Sequence, residues 1–129
     1  MNIKTHLGIN QELCGRPIQV GEGRCTIEMT ASRLMLADES GLIHGGFIFG
    51  LADYAAMLAV NDPNVVLGSA EVKFLKPVRL HDVVVAEAST VEIKGKKRLV
   101  DVSISTGPEI VFQGMFTCFV LERHVLSRE

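Results

Sequence analysis

Hydrophobic and polar residues alternate in several segments of this chain and give way to one continuous apolar run. Residues 25–30 alternate, as do residues 100–105. A period of two predicts strands that are buried on one face. Segment 17–31 therefore predicts one strand, or two strands on either side of a turn at residues 21–23.

The continuous run, IHGGFIFGLADYAAMLAV at residues 43–60, predicts a helix over about residues 46–61. Proline disfavours helical backbone in the residue before it, so Pro63 is expected to end the helix. A helix that is apolar on every side should be buried on every side. Its one charged residue is Asp53, and burial of an unpaired carboxylate costs free energy.

Four strand-like segments follow the helix, at about residues 66–78, 82–93, 98–107 and 109–122. Short glycine-containing turns separate the last three segments, which predicts antiparallel neighbours. Before the helix, residues 2–8 predict a short helix or an extended lead-in, and residues 32–46 predict a loop. The order predicts an α+β domain in which a curved antiparallel sheet wraps one long central helix. A partner subunit is the expected cover for the side that the sheet leaves open.

Length, charge and cysteine content narrow the class of protein. The 129 residues contain no repeat or linker and are expected to form a single domain over residues 1–129. The net charge of −2 indicates no nucleic-acid or membrane partner, and the apolar run is shorter than the ~20 residues of a membrane-spanning helix. Three cysteines without paired or histidine-flanked spacing predict reduced thiols and no metal site. The N-terminus shows no signal-peptide pattern, so a cytoplasmic protein is expected.

The glycines at the helix start suggest a site for negative charge. The first N–H groups of a helix lack partners within it, and glycine lets a ligand approach them closely. Gly45 and Gly46 are therefore candidates for binding a developing oxyanion, with a tight turn into the helix as the alternative. His44 could cap the helix, orient a ligand carbonyl or bond to its own loop. The other histidines show no spacing to carboxylates or cysteines that suggests a site.

Asp53 has no basic residue within one helical turn, so no local ion pair explains it. A desolvated carboxylate has a raised pKa and can act as a general base or a nucleophile, while bonds to distant backbone groups are the structural alternative. Gly46 and Asp53 lie roughly 10 Å apart along one helix axis. A reacting carbonyl must lie ~3 Å from both the base and the oxyanion donors. The sequence therefore predicts that two antiparallel helices of a dimer complete the site together.

Basic residues are concentrated after the helix, where seven of the thirteen lysines and arginines lie between residues 73 and 98. Such residues commonly keep strand edges soluble, but Lys76, Arg79 and Lys97 are also candidates for binding the phosphates of a ligand. Phe49 and Met57 on the helix are candidates for lining an apolar pocket, with ordinary core packing as the alternative.

The segment GLIHGGFIFGLADYAAMLAVN resembles the HGG-x(6)-D signature of hotdog-fold acyl-CoA thioesterases, especially the PaaI-like group, and SAEVKFLKPV resembles that group's following strand. The likeness extends over about residues 6–121. It implies a hotdog fold, a homodimer that often pairs into a tetramer, and hydrolysis of an acyl-CoA. Coenzyme A is then part of the substrate, and no separate cofactor is expected. The resemblance also implies that Asp53 is the base or nucleophile, that the Gly45 amide polarises the thioester carbonyl, and that His44 lies beside it.

The chain departs from this pattern at Asp38, where many relatives carry an asparagine that positions the attacking water, and Asp38 is included among the candidate catalytic residues. Residues 83–92 and 109–116 also resemble the acyl-CoA-sensing hotdog domain of fatty-acid-synthesis repressors, which binds a CoA thioester without hydrolysing it. A related hydratase or dehydratase is the weaker alternative, because the chain has no convincing Asp-x(4)-His motif.

Overall fold

The computed structural model describes residues 1–127, which form a six-stranded antiparallel sheet and one long helix. The last two residues of the predicted domain lie outside this described part. The helices and strands are α1 (Gln11–Cys14), β1 (Arg16–Gly21), β2 (Arg24–Thr30), α2 (Gly45–Val60), β3 (Val65–Phe74), β4 (Val83–Lys94), β5 (Lys97–Thr106) and β6 (Glu109–Val120).

A curved antiparallel sheet around one central helix is confirmed, which is the arrangement of the hotdog fold. The strands lie in the order β1-β2-β4-β5-β6-β3, and every pair of neighbours is antiparallel. α2 contacts all six strands. Along the strands, apolar residues at every second position face α2. Ile27, Val84 and Val102 are examples, and they are fully buried in one core with Leu51 and Leu58 of α2.

Most element boundaries agree with the sequence predictions to within two residues, but β3 ends at Phe74, four residues before the predicted limit. Segment 17–31 contains two strands, and the last three strands are antiparallel neighbours. α2 ends at Val60, one residue before the predicted limit, because Asn61 adopts a left-handed conformation with φ 53° as its C-cap. The predicted loop before α2 contains one 3-10 turn at Arg33–Met35. Within residues 1–127, no helix is long and apolar enough to span a membrane.

α2 is buried unevenly, and the side that this chain leaves open, for which the sequence predicts a partner subunit as cover, lies along its first half. Gly46, Phe49, Gly50 and Asp53 all keep exposed surface, whereas most residues after them in the helix are buried. These four positions are spaced three or four residues apart, which places them on one side of a helix. We call this side the open face of α2.

An N-terminal strap, defined as residues 2–15, runs along α2 from its C-terminal cap toward its middle. Asn61 holds the start of the strap: its Oδ1 accepts a hydrogen bond from the Lys4 N–H, and its Nδ2 donates to the Asn2 carbonyl, both at 2.8 Å. At the other end of the strap, Gly15 packs so closely that an added Cβ would come 2.8 Å from Leu51 Cδ1. The chain itself therefore covers part of the helix surface that the sequence had assigned to a partner.

Of the two alternatives predicted for residues 2–8, the short helix is wrong and a lead-in without helix remains. Residues 2–8 form neither helix nor strand, and the helix is α1, further along the chain. Asn10 caps α1 by accepting hydrogen bonds from the N–H groups of Glu12 and Leu13. The asparagine N-cap determines where this short helix begins. The pattern of apolar residues alone does not reveal that starting point.

Candidate active site

α2 begins with a histidine cap and two glycines. His44 is the N-cap residue, and its Nδ1 accepts a hydrogen bond from the Gly46 N–H at 2.8 Å. An accepting Nδ1 places the proton of a neutral imidazole on Nε2, so the ring keeps a second group that can donate. The Gly45 N–H has no acceptor within residues 1–127. Of the two candidate oxyanion donors, Gly45 is therefore available and Gly46 is engaged by His44.

A cavity of about 300 Å³ opens beside Gly45. Its walls are largely apolar and include Ile48, Phe74 and Leu75, of which Phe74 is 54% and Leu75 46% exposed. Lys76 also lines the cavity and forms an ion pair with Glu109. A largely apolar cavity that Gly45 also lines suits a ligand with a hydrocarbon chain and a carbonyl group, because the Gly45 N–H is a free donor within residues 1–127.

Asp53 lies half-buried on the open face of α2. Its Oδ1 atom is buried and has no hydrogen-bond partner within residues 1–127. Burial raises the pKa of the Asp53 carboxyl above its usual value, and the nearby His6 partly opposes this effect. No backbone group bonds to Oδ1, so the structural alternative for Asp53 finds no support at this atom. An unpaired, desolvated carboxylate is costly for stability and typical of functional sites.

His6 is the residue of this site that sequence reasoning missed. Burial lowers the pKa of His6, and the charge of Asp53 partly restores it. Cys14 and Cys118 also lie within the electrostatic reach of Asp53; burial raises the pKa of each thiol, and Asp53 adds to the rise. Sequence spacing did not indicate that this histidine lies close to a carboxylate. No spacing could have revealed it, because the strap brings together residues that lie 47 positions apart in the chain.

The two main candidates of the site, Gly45 and Asp53, are too far apart to act on one atom within a single chain. They lie eight residues apart in α2, which corresponds to about 12 Å along a helix axis. A carbonyl bound to the Gly45 amide is therefore out of reach of Asp53 in the same helix.

The two apolar candidates lie in different surroundings. Phe49 is half-buried on the open face of α2, with its ring centroid 5.6 Å from that of Phe116. Met57 is 1% exposed and lies inside the core. The prediction that Met57 lines a ligand pocket is not met within this chain, because core packing surrounds its side chain.

Asp38 and Arg79 lie at the surface near the start of α2. The Asp38 Oδ1 accepts hydrogen bonds from the Ser40 N–H at 2.9 Å and the Ser40 hydroxyl at 2.6 Å. These bonds lower the pKa of the Asp38 carboxyl. Arg79 is exposed and pairs through its backbone with Leu42, which follows the Asp38 turn. Asp38 and Asp53 do not interact within the described residues.

The basic candidates do not converge within one chain. Lys76 follows the end of β3, where Phe74 pairs with Phe112 of β6. Lys97 begins β5, where it pairs with Phe119 of β6. Seven residues of β6 separate the two pairing positions, or about 23 Å along a strand. Within a single chain, Lys76 and Lys97 cannot hold the same phosphate group.

Comparison with known proteins identifies the family of this domain. The sequence profile of the thioesterase superfamily matches residues 40–112, which span the start of α2 and Asp53. The chain belongs to the thioesterase superfamily.

Two curated relatives are longer than this chain. It is 53% identical over 123 residues to a protein named methylthioribose-1-phosphate isomerase from Aquifex aeolicus, a match that covers 95% of this chain and 27% of that protein. It is 28% identical over 127 residues to transcription factor FapR from Caldanaerobacter subterraneus, covering 98% of this chain and 62% of FapR. The chain thus spans about a quarter of the first relative and under two thirds of the second.

Solved structures give the same fold. Protein PH1136 from Pyrococcus horikoshii is 50% identical, with a TM-score of 0.97 and 98% of each chain covered. A hypothetical thioesterase from Streptococcus pneumoniae, crystallised with coenzyme A, has a TM-score of 0.77 and 22% identity over 84% of this chain and 87% of that one. This second likeness concerns the fold alone.

Proposed function

We propose that the protein is an acyl-CoA thioesterase that acts as a homodimer, with each site built from two chains. The thioester carbonyl accepts a hydrogen bond from the Gly45 N–H of one chain, and Asp53 of the partner subunit activates the attacking water. Two such sites are equivalent by symmetry. A dimer of dimers is the assembly that the family resemblance favours, and free thiols at all three cysteines fit a cytoplasmic setting.

The observation that carries this proposal is that the Gly45 N–H and the Asp53 Oδ1 atom both lack a partner within residues 1–127 and yet lie on one helix, about 12 Å apart. An antiparallel copy of α2 placed against the open face would bring the start of one helix beside the middle of the other. Gly46 and Gly50 on that face have no bulky side chain, which favours close approach of a second helix.

The reaction follows from the chemistry of these groups. Asp53 takes a proton from water while the water oxygen attacks the carbonyl carbon, and a raised carboxyl pKa makes Asp53 a stronger base than an exposed aspartate. The Gly45 N–H and the positive end of the α2 dipole stabilise the oxyanion. The C–S bond then breaks and coenzyme A leaves as its thiolate. Direct attack by the carboxylate, followed by hydrolysis of the anhydride, uses the same residues.

The remaining candidates have supporting roles in this proposal. His44 adds its Nε2–H near the carbonyl, Phe49 contacts the acyl group, and Lys76 binds a phosphate of coenzyme A at the mouth of the cavity. The resemblance to PaaI-like thioesterases supports this class of ligand. Asp38, Gly46, Arg79 and Lys97 stay predictions for binding or catalysis, because they would have to act across the dimer or at the rim of the site.

The substitution Asp53→Asn tests the proposal. We expect kcat to fall by at least about 100-fold, the usual contribution of a general base, with the dimer intact by light scattering. Thiol release from acetyl-, phenylacetyl- and palmitoyl-CoA is followed with a thiol-trapping dye. Asp62→Asn is the matched control, because Asp62 only accepts a hydrogen bond from the Asn64 N–H after the helix. Near-normal rates for Asp53→Asn on every hydrolysed substrate, or no thiol release by the unmodified protein, would refute the proposal.

A domain that binds acyl-CoA without hydrolysing it is the second candidate. The match to the transcription factor FapR over 98% of this chain favours a role other than catalysis, and the resemblance of residues 83–92 and 109–116 to acyl-CoA-sensing repressor domains suggests the ligand. It predicts saturable binding of an acyl-CoA in calorimetry with no thiol release on prolonged incubation. The unpaired carboxylate of Asp53 argues for hydrolysis, because a binding domain gains nothing from a desolvated base and loses stability by keeping it.

A further inference from the structure

The strap holds the His6 ring in one position beside Asp53. The Oγ1 atom of Thr5 lies 2.8 Å from His6 Nδ1, and Thr5 itself is only 6% exposed. His6 adopts a left-handed backbone conformation with φ 56°, which is uncommon for a residue with a Cβ atom. Its ring centroid lies 6.4 Å from that of Tyr54, the next residue after Asp53 in α2. Backbone and side chain are therefore both fixed.

The same histidine also faces solvent. His6 keeps exposed surface and lines a cavity of about 410 Å³ between the strap, the start of β3 and residues 124–125. The Asp53 Oδ1 atom, by contrast, is buried. His6 thus interacts electrostatically with Asp53 and also reaches an opening to solvent.

Asp53 lies on the open face, which the partner helix covers in the proposed dimer, so the proton that Asp53 accepts needs a route to solvent. In the proposed hydrolysis each turnover transfers one proton from water to Asp53, and this proton must leave before the next cycle. A group that interacts with Asp53 on one side and reaches solvent on the other can provide the route.

We propose that His6 is the proton outlet of Asp53, a role that rests on the proposed function. The water oxygen bonds to the thioester carbon, and the water proton passes to the Asp53 carboxylate. Asp53 then passes the proton through an intervening water to the His6 ring, which releases it into the cavity, while the C–S electron pair leaves with the thiolate. Within residues 1–127 no direct hydrogen bond or ion pair joins His6 to Asp53, so the intervening water is part of the proposal.

The chemistry of the ring suits this role. A hydroxyl both donates and accepts, so Thr5 can stay bonded to Nδ1 in either neutral tautomer and in the imidazolium. Burial lowers the pKa of His6 and raises that of Asp53, which brings the two groups closer in acidity.

The other titratable groups around this pair do not compete with His6. Burial raises the pKa of Cys14, that of Cys118 to about 12, and that of Tyr54, so all three stay protonated at neutral pH. Lys4 and His124 line the cavity with His6, but neither interacts with Asp53 within the described residues.

The test compares His6→Gln with His124→Gln, a histidine that lines the same cavity and accepts a hydrogen bond from the Leu126 N–H. With the best acyl-CoA of the panel, we expect His6→Gln to lower kcat by about tenfold or more, with KM changed less than about twofold. Imidazole added to the buffer should restore part of the lost kcat, which a purely structural role of His6 would not allow. His124→Gln should keep the unmodified kcat.

A measurement without substrate separates the two proposals. The charge of Asp53 raises the pKa of His6, so the His6 ring should titrate at lower pH in Asp53→Asn, as followed by NMR. An active protein in which His6→Gln keeps full kcat, or loses it without imidazole rescue, overturns the outlet and leaves the thioesterase proposal standing. A protein that releases no thiol overturns both, and an unchanged His6 titration in Asp53→Asn overturns the outlet alone.

Discussion

The Nδ1 atom of His44 accepts a hydrogen bond from the backbone N–H of Gly46 at 2.8 Å. The bond assigns two tasks to one ring, because Nδ1 caps α2 while Nε2 keeps its proton for another partner. It also makes the two glycines differ, because within residues 1–127 the Gly46 N–H donates to His44 and the Gly45 N–H has no acceptor. Capping and substrate binding at this residue can therefore be tested separately.

Replacing His44 by alanine should lower both stability and activity. Loss of an N-cap costs about 0.5–2 kcal/mol of unfolding free energy, because the Gly46 N–H loses its acceptor. The activity should fall as well, since the Nε2–H donor is lost. Thermal unfolding and thiol release measure the two effects.

The variant His44→Asn is the matched control for the cap. Asparagine is among the best N-cap residues, so its side-chain oxygen should accept from the Gly46 N–H and restore the stability lost in His44→Ala. It should not restore the activity, because it does not place an N–H where Nε2 lies. Full activity in His44→Asn would show that His44 serves the helix alone.

Replacing Gly15 by alanine should detach the strap. An added Cβ would lie 2.7 Å from the Ile27 side chain and 3.3 Å from the Glu28 carbonyl, and the φ of 102° is unfavourable for any residue with a Cβ. We expect a loss of about 2 kcal/mol or more. Gly8→Ala is the control, because an added Cβ there meets nothing within 4 Å. Equal stability of the two variants by urea unfolding would contradict the close packing of the strap.

Removing the charge of Asp53 should stabilise the protein at neutral pH. The folded state raises the pKa of this carboxyl, so it binds the proton more tightly than the unfolded chain does. Asp53 therefore lowers stability as pH rises from the unfolded pKa through the folded pKa, and the loss is complete above both. The free energy of unfolding of Asp53→Asn should therefore exceed that of the unmodified protein at pH 7, and the gain should shrink on acidification.

Urea unfolding at pH 7 and at pH 4, at one protein concentration, checks this prediction. Carboxyls with lowered pKa, such as Asp38 and Glu109, lose stabilisation on acidification. They contribute equally in both proteins and cancel in the difference between them. A gain that is larger at pH 4 than at pH 7 would mean that Asp53 is paired in the folded protein.

The sequence predicted those parts of the fold and site that depend on local chemistry. Asp53 could be singled out because one charge interrupts a continuous apolar run, and Pro63 marked the end of that run. Gly45 could be predicted as an oxyanion donor because the first amides of any helix are unpaired. Such inferences need only the residues within a few turns of one element.

The parts that could not be predicted depend on how distant segments meet. His6 reaches Asp53 only because Asn61 anchors the strap at the far end of α2. The open face of α2 likewise depends on which sides the sheet and the strap leave uncovered, while the helix sequence is apolar all round. Lys76 and Lys97 were grouped as phosphate-binding candidates because they lie close together in the sequence. In the fold they lie at opposite ends of the sheet.

This separation of the two lysines leads to the last prediction. Lys76 lines the cavity beside Gly45, so Lys76→Ala should raise KM for the acyl-CoA severalfold and leave kcat nearly unchanged. The effect should shrink with added salt, because the lost contact is ionic. Glu109→Gln removes the ion-pair partner of Lys76 and frees its ammonium for a phosphate, so its KM should not rise. Lys97→Ala serves as the distant comparison, and an equal rise in KM there would place the phosphates across the dimer, away from the Gly45 cavity of the same chain.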